Sequence, residues 1–209
     1  MLKYIFPIGT LILMWLIYLT QLISGVDFGF LGIHPRDMQA LLGILTAPLV
    51  HGNWEHLLSN TLPLLILSMI LFLSYQRIAL FVWCGIYFFT GLLVWLFARD
   101  SFHIGASGII YGLASFLFFN GFFRMDIKAI AIASGVAIFY GGMVWGVLPI
   151  YPGVSWESHL FGGITGAVMA YIFRNYNKDT TLQQMEDEHQ AYIDQRKTFD
   201  SFLDDLNKR

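Results

Sequence analysis

An all-α membrane protein of six transmembrane helices is predicted by three observations: apolar runs of bilayer length, scarce charge, and cationic residues gathered at one set of span ends. Of 209 residues, 56% are hydrophobic and 12% charged, against roughly 25% charged in an ordinary soluble domain. Mean hydropathy is +0.62. The formal charge of −2 gives no basic surface for nucleic acid, so the partner implied by composition is the lipid bilayer. The single cysteine, Cys84, excludes an internal disulfide framework.

A membrane helix needs about 20 apolar residues, and six runs approach that length: Ile5 to Ser24, His56 to Ser74, Ile78 to Ala98, Ser107 to Phe123, Ile127 to Leu148 and His159 to Phe173. The first follows Lys3, is too long for a signal-peptide core and has no clear small-residue cleavage site, so it reads as a retained span. Lys3, Arg77, Arg124, Lys128, Arg174 and Lys178 then fall on one side and Arg36 and Arg99 on the other. The excess of cations puts the first side, and both termini, in the cytoplasm; in a bacterium the membrane would be the plasma membrane.

The connection from Val26 to Glu55 mixes Phe28, Phe30, Leu41, Leu42, Ile44 and Leu45 with Gly29, Gly32, Pro35, Arg36 and Asp37. It is too broken to span and is expected to lie at the outer interface, partly buried as a structural loop. Residues 1–174 thus form a membrane domain and 175–209 a polar cytoplasmic tail. In the tail Leu182, Met185, His189, Tyr192, Arg196, Phe199, Leu203 and Leu206 recur at spacings of three and four, the stripe of a solvated helix.

Chemistry concentrates at the outer ends of three spans. Gly105-Ala106-Ser107-Gly108 opens the fourth span with a hydroxyl between glycines, and Gly108 and Gly112 make a small-xxx-small pair that admits a close helix neighbour. His159 opens the last span, where Gly162 and Gly166 repeat the same spacing. Two glycine faces packed together would bring Ser107 within reach of His159, the arrangement of a nucleophile and its general base. Tyr111 lies one helical turn from Ser107 on the same face, where its ring could support the imidazole.

Ser107, Asn60 and His159 stand 17, 17 and 15 residues from the cytoplasmic anchors Arg124, Arg77 and Arg174. At about 1.5 Å per residue they share one depth within roughly 3 Å, several Å below the outer surface of a hydrocarbon core about 30 Å thick. His56 and Asn60 share a face of the second span, and both can donate to a developing oxyanion. Pro63 frees the Ser59 carbonyl one turn away. The plainer alternative for each is structural: a backbone bond for Ser107, packing or proton relay for His159, an interhelical bond for Asn60 and a kink at Pro63.

His51, His56 and Asn60, followed by Gly105-Ala106-Ser107-Gly108 and then His159 with Gly162 and Gly166, resemble the rhomboid intramembrane serine proteases in motif order over about residues 32–173. The resemblance implies a six-span rhomboid-like bundle and a Ser107–His159 dyad without a third, acidic member. It implies an oxyanion hole from His56, Asn60 and the Ser107 amide, with Tyr111 beneath the histidine ring. His51 would be the histidine at the water-accessible top of the second span, and about residues 127–157 a movable gate. The substrate would be another transmembrane protein; no metal or organic cofactor is implied. The chain departs from the family in its first loop, where Pro35-Arg36 stands in place of a Trp-Arg pair.

The rival readings are a catalytically inactive rhomboid-like module that binds membrane proteins, and a small transporter. The spans lack the Asp, Glu, Lys or Arg pathway of a transporter apart from Lys128 at a span end, and a binder has no use for both Ser107 and His159. A zinc protease would need His-Glu-x-x-His, which is absent.

Overall fold

Backbone groups have no water partner in lipid, so apolar runs of this length must satisfy their own hydrogen bonds as helices. The computed structural model describes residues 2–150, 152–176 and 186–199, with side chains from Ile5 onward. It is all-helical: α1 Leu2–Ser24, a short α2 Gly43–Thr46, α3 Trp54–Ser74, α4 Ala79–Phe97, α5 Ser107–Arg124, α6 Ile127–Tyr140, α7 Trp156–Ile172 and α8 over 186–199. Among the described residues the only β pairing is an isolated antiparallel bridge between Ile33 and His103.

Among the described residues, four segments are long and apolar enough to cross a membrane by themselves: Ile5–Ser24, Trp54–Ser74, Ala79–Phe97 and Ile127–Val147. α5 and α7 have 18 and 17 residues and carry more glycine and polar side chains. They form the most extensive helix pair, and α5 also touches α3, α4 and α6. A helix enclosed by other helices need not be apolar on every face.

Capping explains several boundaries. Asn53 accepts from the His56 amide at 2.8 Å to start α3, and Asp126 accepts from the Ala129 amide at 2.8 Å to start α6, each satisfying a donor left over at a helix N-terminus. The apolar run expected from Ile127 to Leu148 forms a candidate span over Ile127–Val147, built of two helix types. The α-helix stops at Tyr140, and Gly141–Val147 continues as a tighter 3₁₀ helix, because the Gly141-Gly142 pair lowers helical preference where the chain turns toward the site.

The first loop is docked on α4. Arg36, at φ 62°, donates through Nη1 to the Ala98 carbonyl at 2.8 Å, and Trp95 Nε1 donates to the Asp37 carbonyl at 3.0 Å. A cation on the last carbonyls of a helix is favoured by the helix dipole. Phe30, Met38, Leu42 and Leu45 of this loop remain exposed.

Contacts divide the chain into two units, Met1–Ile172 and Phe173–Arg209. In the second, α8 carries His189, Tyr192, Arg196 and Phe199 of the tail stripe. Lys178, Leu182, Met185, Leu203 and Leu206 lie outside the described residues.

Candidate active site

Gly105 makes the turn that starts α5. Its φ of +99° suits only glycine, and a Cβ there would strike the His56 imidazole. The Gly105 amide is anchored on the Ala47 carbonyl at 2.8 Å. Ser107 is therefore the first residue of α5, where amides have no intrahelical partner and remain available as donors.

Across from it, α7 lies in backbone contact with α5. A Cβ on Gly162 would collide with the Gly108 carbonyl, and one on Gly166 with the Gly112 carbonyl. Ser115 Oγ adds a 2.6 Å bond to the Gly163 carbonyl. His159 shares the Gly162 and Gly166 face, so the close crossing carries it to Ser107: Oγ and Nε2 are 2.8 Å apart.

The proton positions follow from the partners. His159 Nδ1 lies 2.8 Å from the Gly146 carbonyl. A carbonyl only accepts, so the neutral ring holds its proton on Nδ1 and turns the Nε2 lone pair toward the Ser107 hydroxyl. Tyr111 stacks on the same imidazole, centroids 4.1 Å apart and planes 6° from parallel, while its hydroxyl donates to the Met143 carbonyl at 2.7 Å. A Cβ on Gly146 would strike the Tyr111 hydroxyl. The 3₁₀ segment Gly141–Val147 thus supplies two carbonyls that hold the histidine and the tyrosine. Sequence reasoning missed both Met143 and Gly146; the only signal was the cluster Gly141, Gly142 and Gly146 within one apolar run.

Ser107, His159, His56 and Asn60 line one cavity of about 810 Å³, together with Glu55, Ser59, Arg99, Ser101 and Ser155. Asn60 is buried and donates one Nδ2 hydrogen to the His56 carbonyl at 3.0 Å, which leaves its second N–H uncommitted. Its Nδ2 is 3.7 Å from the position a Gly105 Cβ would take.

His51 departs from the water-accessible position implied for it. It is 1% exposed, does not line the cavity and presents its ring edge-on to His56 at 4.9 Å. Burial, with the neighbouring His56, outweighs a weak contact to the Leu49 backbone and lowers its pKa to about 4. His51 follows the 47–49 turn, whose Ala47 and Pro48 are buried as well, and precedes the start of α3 at Trp54.

Another group unforeseen from sequence borders the cavity. His103 is buried and its pKa is lowered by that burial. Its ring meets Ser155 Oγ at 2.6 Å and the Arg99 carbonyl at 3.1 Å. Arg99 faces the buried Glu157 carboxylate at 3.5 Å.

Comparison with known proteins places the chain in a family. The Rhomboid domain model matches residues 38–176. The uncharacterized protein Rv1337 of Mycobacterium tuberculosis is 39% identical over 180 residues, covering 78% of this chain and 74% of that protein. The uncharacterized protein ML1171 of Mycobacterium leprae is 38% identical over 174 residues, 76% of this chain and 68% of its own length. RHOMBOID-like protein 4 of Arabidopsis thaliana is 30% identical over 137 residues, 62% of this chain but 33% of that protein. With its domain match spanning most of the apolar bundle, the chain is an integral membrane protein that belongs to the rhomboid family.

Proposed function

We propose that this protein is an intramembrane serine endopeptidase that hydrolyses peptide bonds in or near transmembrane segments of other membrane proteins. The observation that carries the reading is the 2.8 Å contact between Ser107 Oγ and His159 Nε2, with Nδ1 committed to the Gly146 carbonyl.

In this reading His159 Nε2 takes the Ser107 proton as Oγ attacks the scissile carbonyl. Negative charge grows on the carbonyl oxygen, toward which the Ser107 amide, the free Asn60 N–H and the His56 ring donate. The imidazolium keeps its Nδ1–H bond to Gly146, and its positive charge lies over the Tyr111 ring, a cation–π contact that serves where an acidic partner would otherwise stand. Collapse of the tetrahedral intermediate breaks the C–N bond, and Nε2–H protonates the departing amine. Water entering the cavity then loses a proton to Nε2 and attacks the acyl-enzyme, releasing the acid and restoring Ser107.

The same proposal extends to topology. α5 and α7, at about 27 and 26 Å, cross with the four longer apolar segments to make six spans, the termini face the cytoplasm, and the cavity opens outward. Purified protein in detergent is expected to cleave a single-span substrate, with Ser107→Ala inert. A fluorophosphonate adduct should appear on Ser107 by mass spectrometry. Wild-type protein that neither cleaves nor labels would mark it as an inactive binding module.

A further inference from the structure

Ser107 and His159 both stand in the first turns of their helices, so their separation depends on how the chain enters α5 and α7. The segment before α5 and the segment before α7 are stitched together by side chains outside the proposed machinery. The Arg99 carbonyl can only accept, so His103 carries its proton on Nε2 and accepts at Nδ1 from the Ser155 hydroxyl, 2.6 Å away. Ser158 Oγ lies 2.6 Å from Ser155 Oγ and must then be the donor. The result is one directed chain: Ser158 to Ser155 to His103 to the Arg99 carbonyl.

Ser155 immediately precedes α7, and its Oγ also accepts from the Ser158 amide at 3.4 Å, as an N-cap does. Arg99 makes a second tie, from Nη2 to the Val154 carbonyl at 2.8 Å. The backbone of His103 is itself fixed, exchanging two 2.9 Å bonds with Ile33 of the first loop. His103 therefore joins three parts of the fold: the loop after α1, the entry to α5 four residues before Ser107, and the entry to α7 four residues before His159.

We infer that His103, acting through Ser155, is a positioning residue that holds the entries of α5 and α7 in the register at which Ser107 meets His159. The inference rests on the proposed protease reading. Errors of about 1 Å in a reacting pair can cost a hundredfold in rate, so releasing one of several ties should cost about tenfold.

The test compares His103→Phe, His103→Asn, Ser155→Ala and the His103→Phe/Ser155→Ala pair with wild type, in full-length protein, by cleavage kinetics and by the rate of fluorophosphonate labelling at Ser107. His103→Phe keeps a ring but no hydrogen bond. It should lower kcat and labelling rate about tenfold with KM within twofold. His103→Asn, whose Oδ1 can accept where Nδ1 does, should recover most of the loss. Ser155→Ala should match His103→Phe, and the pair should be no worse than either alone, because they break one connection. Wild-type kcat per folded molecule in both His103→Phe and Ser155→Ala overturns the inference while leaving the protease reading intact. If His103→Phe does not fold, Ser155→Ala decides. Wild-type protein inert toward both substrate and reagent overturns the reading, and the positioning role with it.

Discussion

The Tyr111 ring lies flat on the His159 imidazole, with centroids 4.1 Å apart and planes 6° from parallel. Stacked there, it limits rotation of the histidine and offers its π face to the charge formed when Nε2 takes a proton. A cation–π contact is worth about 0.5 to 2 kcal/mol, rising with desolvation. Tyr111→Leu should therefore lower kcat roughly 2- to 30-fold. Tyr111→Phe, which keeps the stack and gives up only the bond to the Met143 carbonyl, should lose less. Equal losses in the two variants would remove the ring from the account and leave the hydroxyl.

Asn60 is expected to act on the transition state. Its free N–H can serve an oxygen whose charge is growing more than it serves a neutral carbonyl. Asn60→Ala should lower kcat with KM little changed. Since His56 and the Ser107 amide remain, the loss should be roughly 1 to 3 kcal/mol, or about ten- to a hundredfold. Full kcat in the variant, or a loss explained wholly by a lower melting midpoint in detergent, would make Asn60 a structural residue held by its bond to the His56 carbonyl.

Neighbouring glycines of α7 should respond in opposite ways. A methyl group on Gly162 meets the Gly108 carbonyl, whereas one on Gly163 meets nothing within 4 Å. Gly162→Ala should cost about 1 to 3 kcal/mol as an overpacked contact, lower the melting midpoint and slow Ser107 labelling. Gly163→Ala should be neutral or slightly stabilising, since alanine favours a helix. Similar midpoints for the two variants would contradict the close crossing of α5 and α7.

Stability in acid should carry a contribution from His51. Its pKa is about 4 when folded, against 6.5 ordinarily. Above pH 6.5 both folded and unfolded chains hold it neutral, and the contribution is intact. As pH falls below 6.5 the unfolded chain takes up a proton that the folded chain refuses, so stability drops until about pH 4, by up to about 3 kcal/mol. Melting midpoints in detergent measured from pH 7 to pH 4 should fall less steeply for His51→Leu than for wild type. His103, lowered in the same direction, keeps part of the slope in that variant. An unchanged slope would show that His51 does not carry this proton linkage.

Access to the cavity can be read from one side of the membrane. Ser101 is exposed and lines the cavity, whereas His103, two residues on, is buried. With the lone exposed cysteine Cys84 replaced, Ser101→Cys in oriented vesicles should react with an impermeant maleimide added outside. Reaction only from the inside would reverse the proposed orientation.

The helices and the meeting of Ser107 with His159 were legible because both depend on local features of the chain. Apolar runs become helices when lipid offers the backbone no other partner, and glycines spaced by four announce a face on which another backbone can rest. The repeated spacing at Gly108, Gly112, Gly162 and Gly166 therefore carried long-range information. The partners that orient the site carried none. Gly146 and Met143 act through carbonyl oxygens, which every residue possesses, so no side chain at those positions advertises the contact. The stop of α6 at Tyr140 and the 3₁₀ turn after it arise where the chain bends to reach His159 and Tyr111. His51 went inside together with Ala47, Pro48 and Val50 of the segment before α3, and His103 found Ser155 across 52 residues. Spacing along one helix reveals which residues share a face; which backbone oxygen or distant hydroxyl waits opposite that face is decided only when the helices pack.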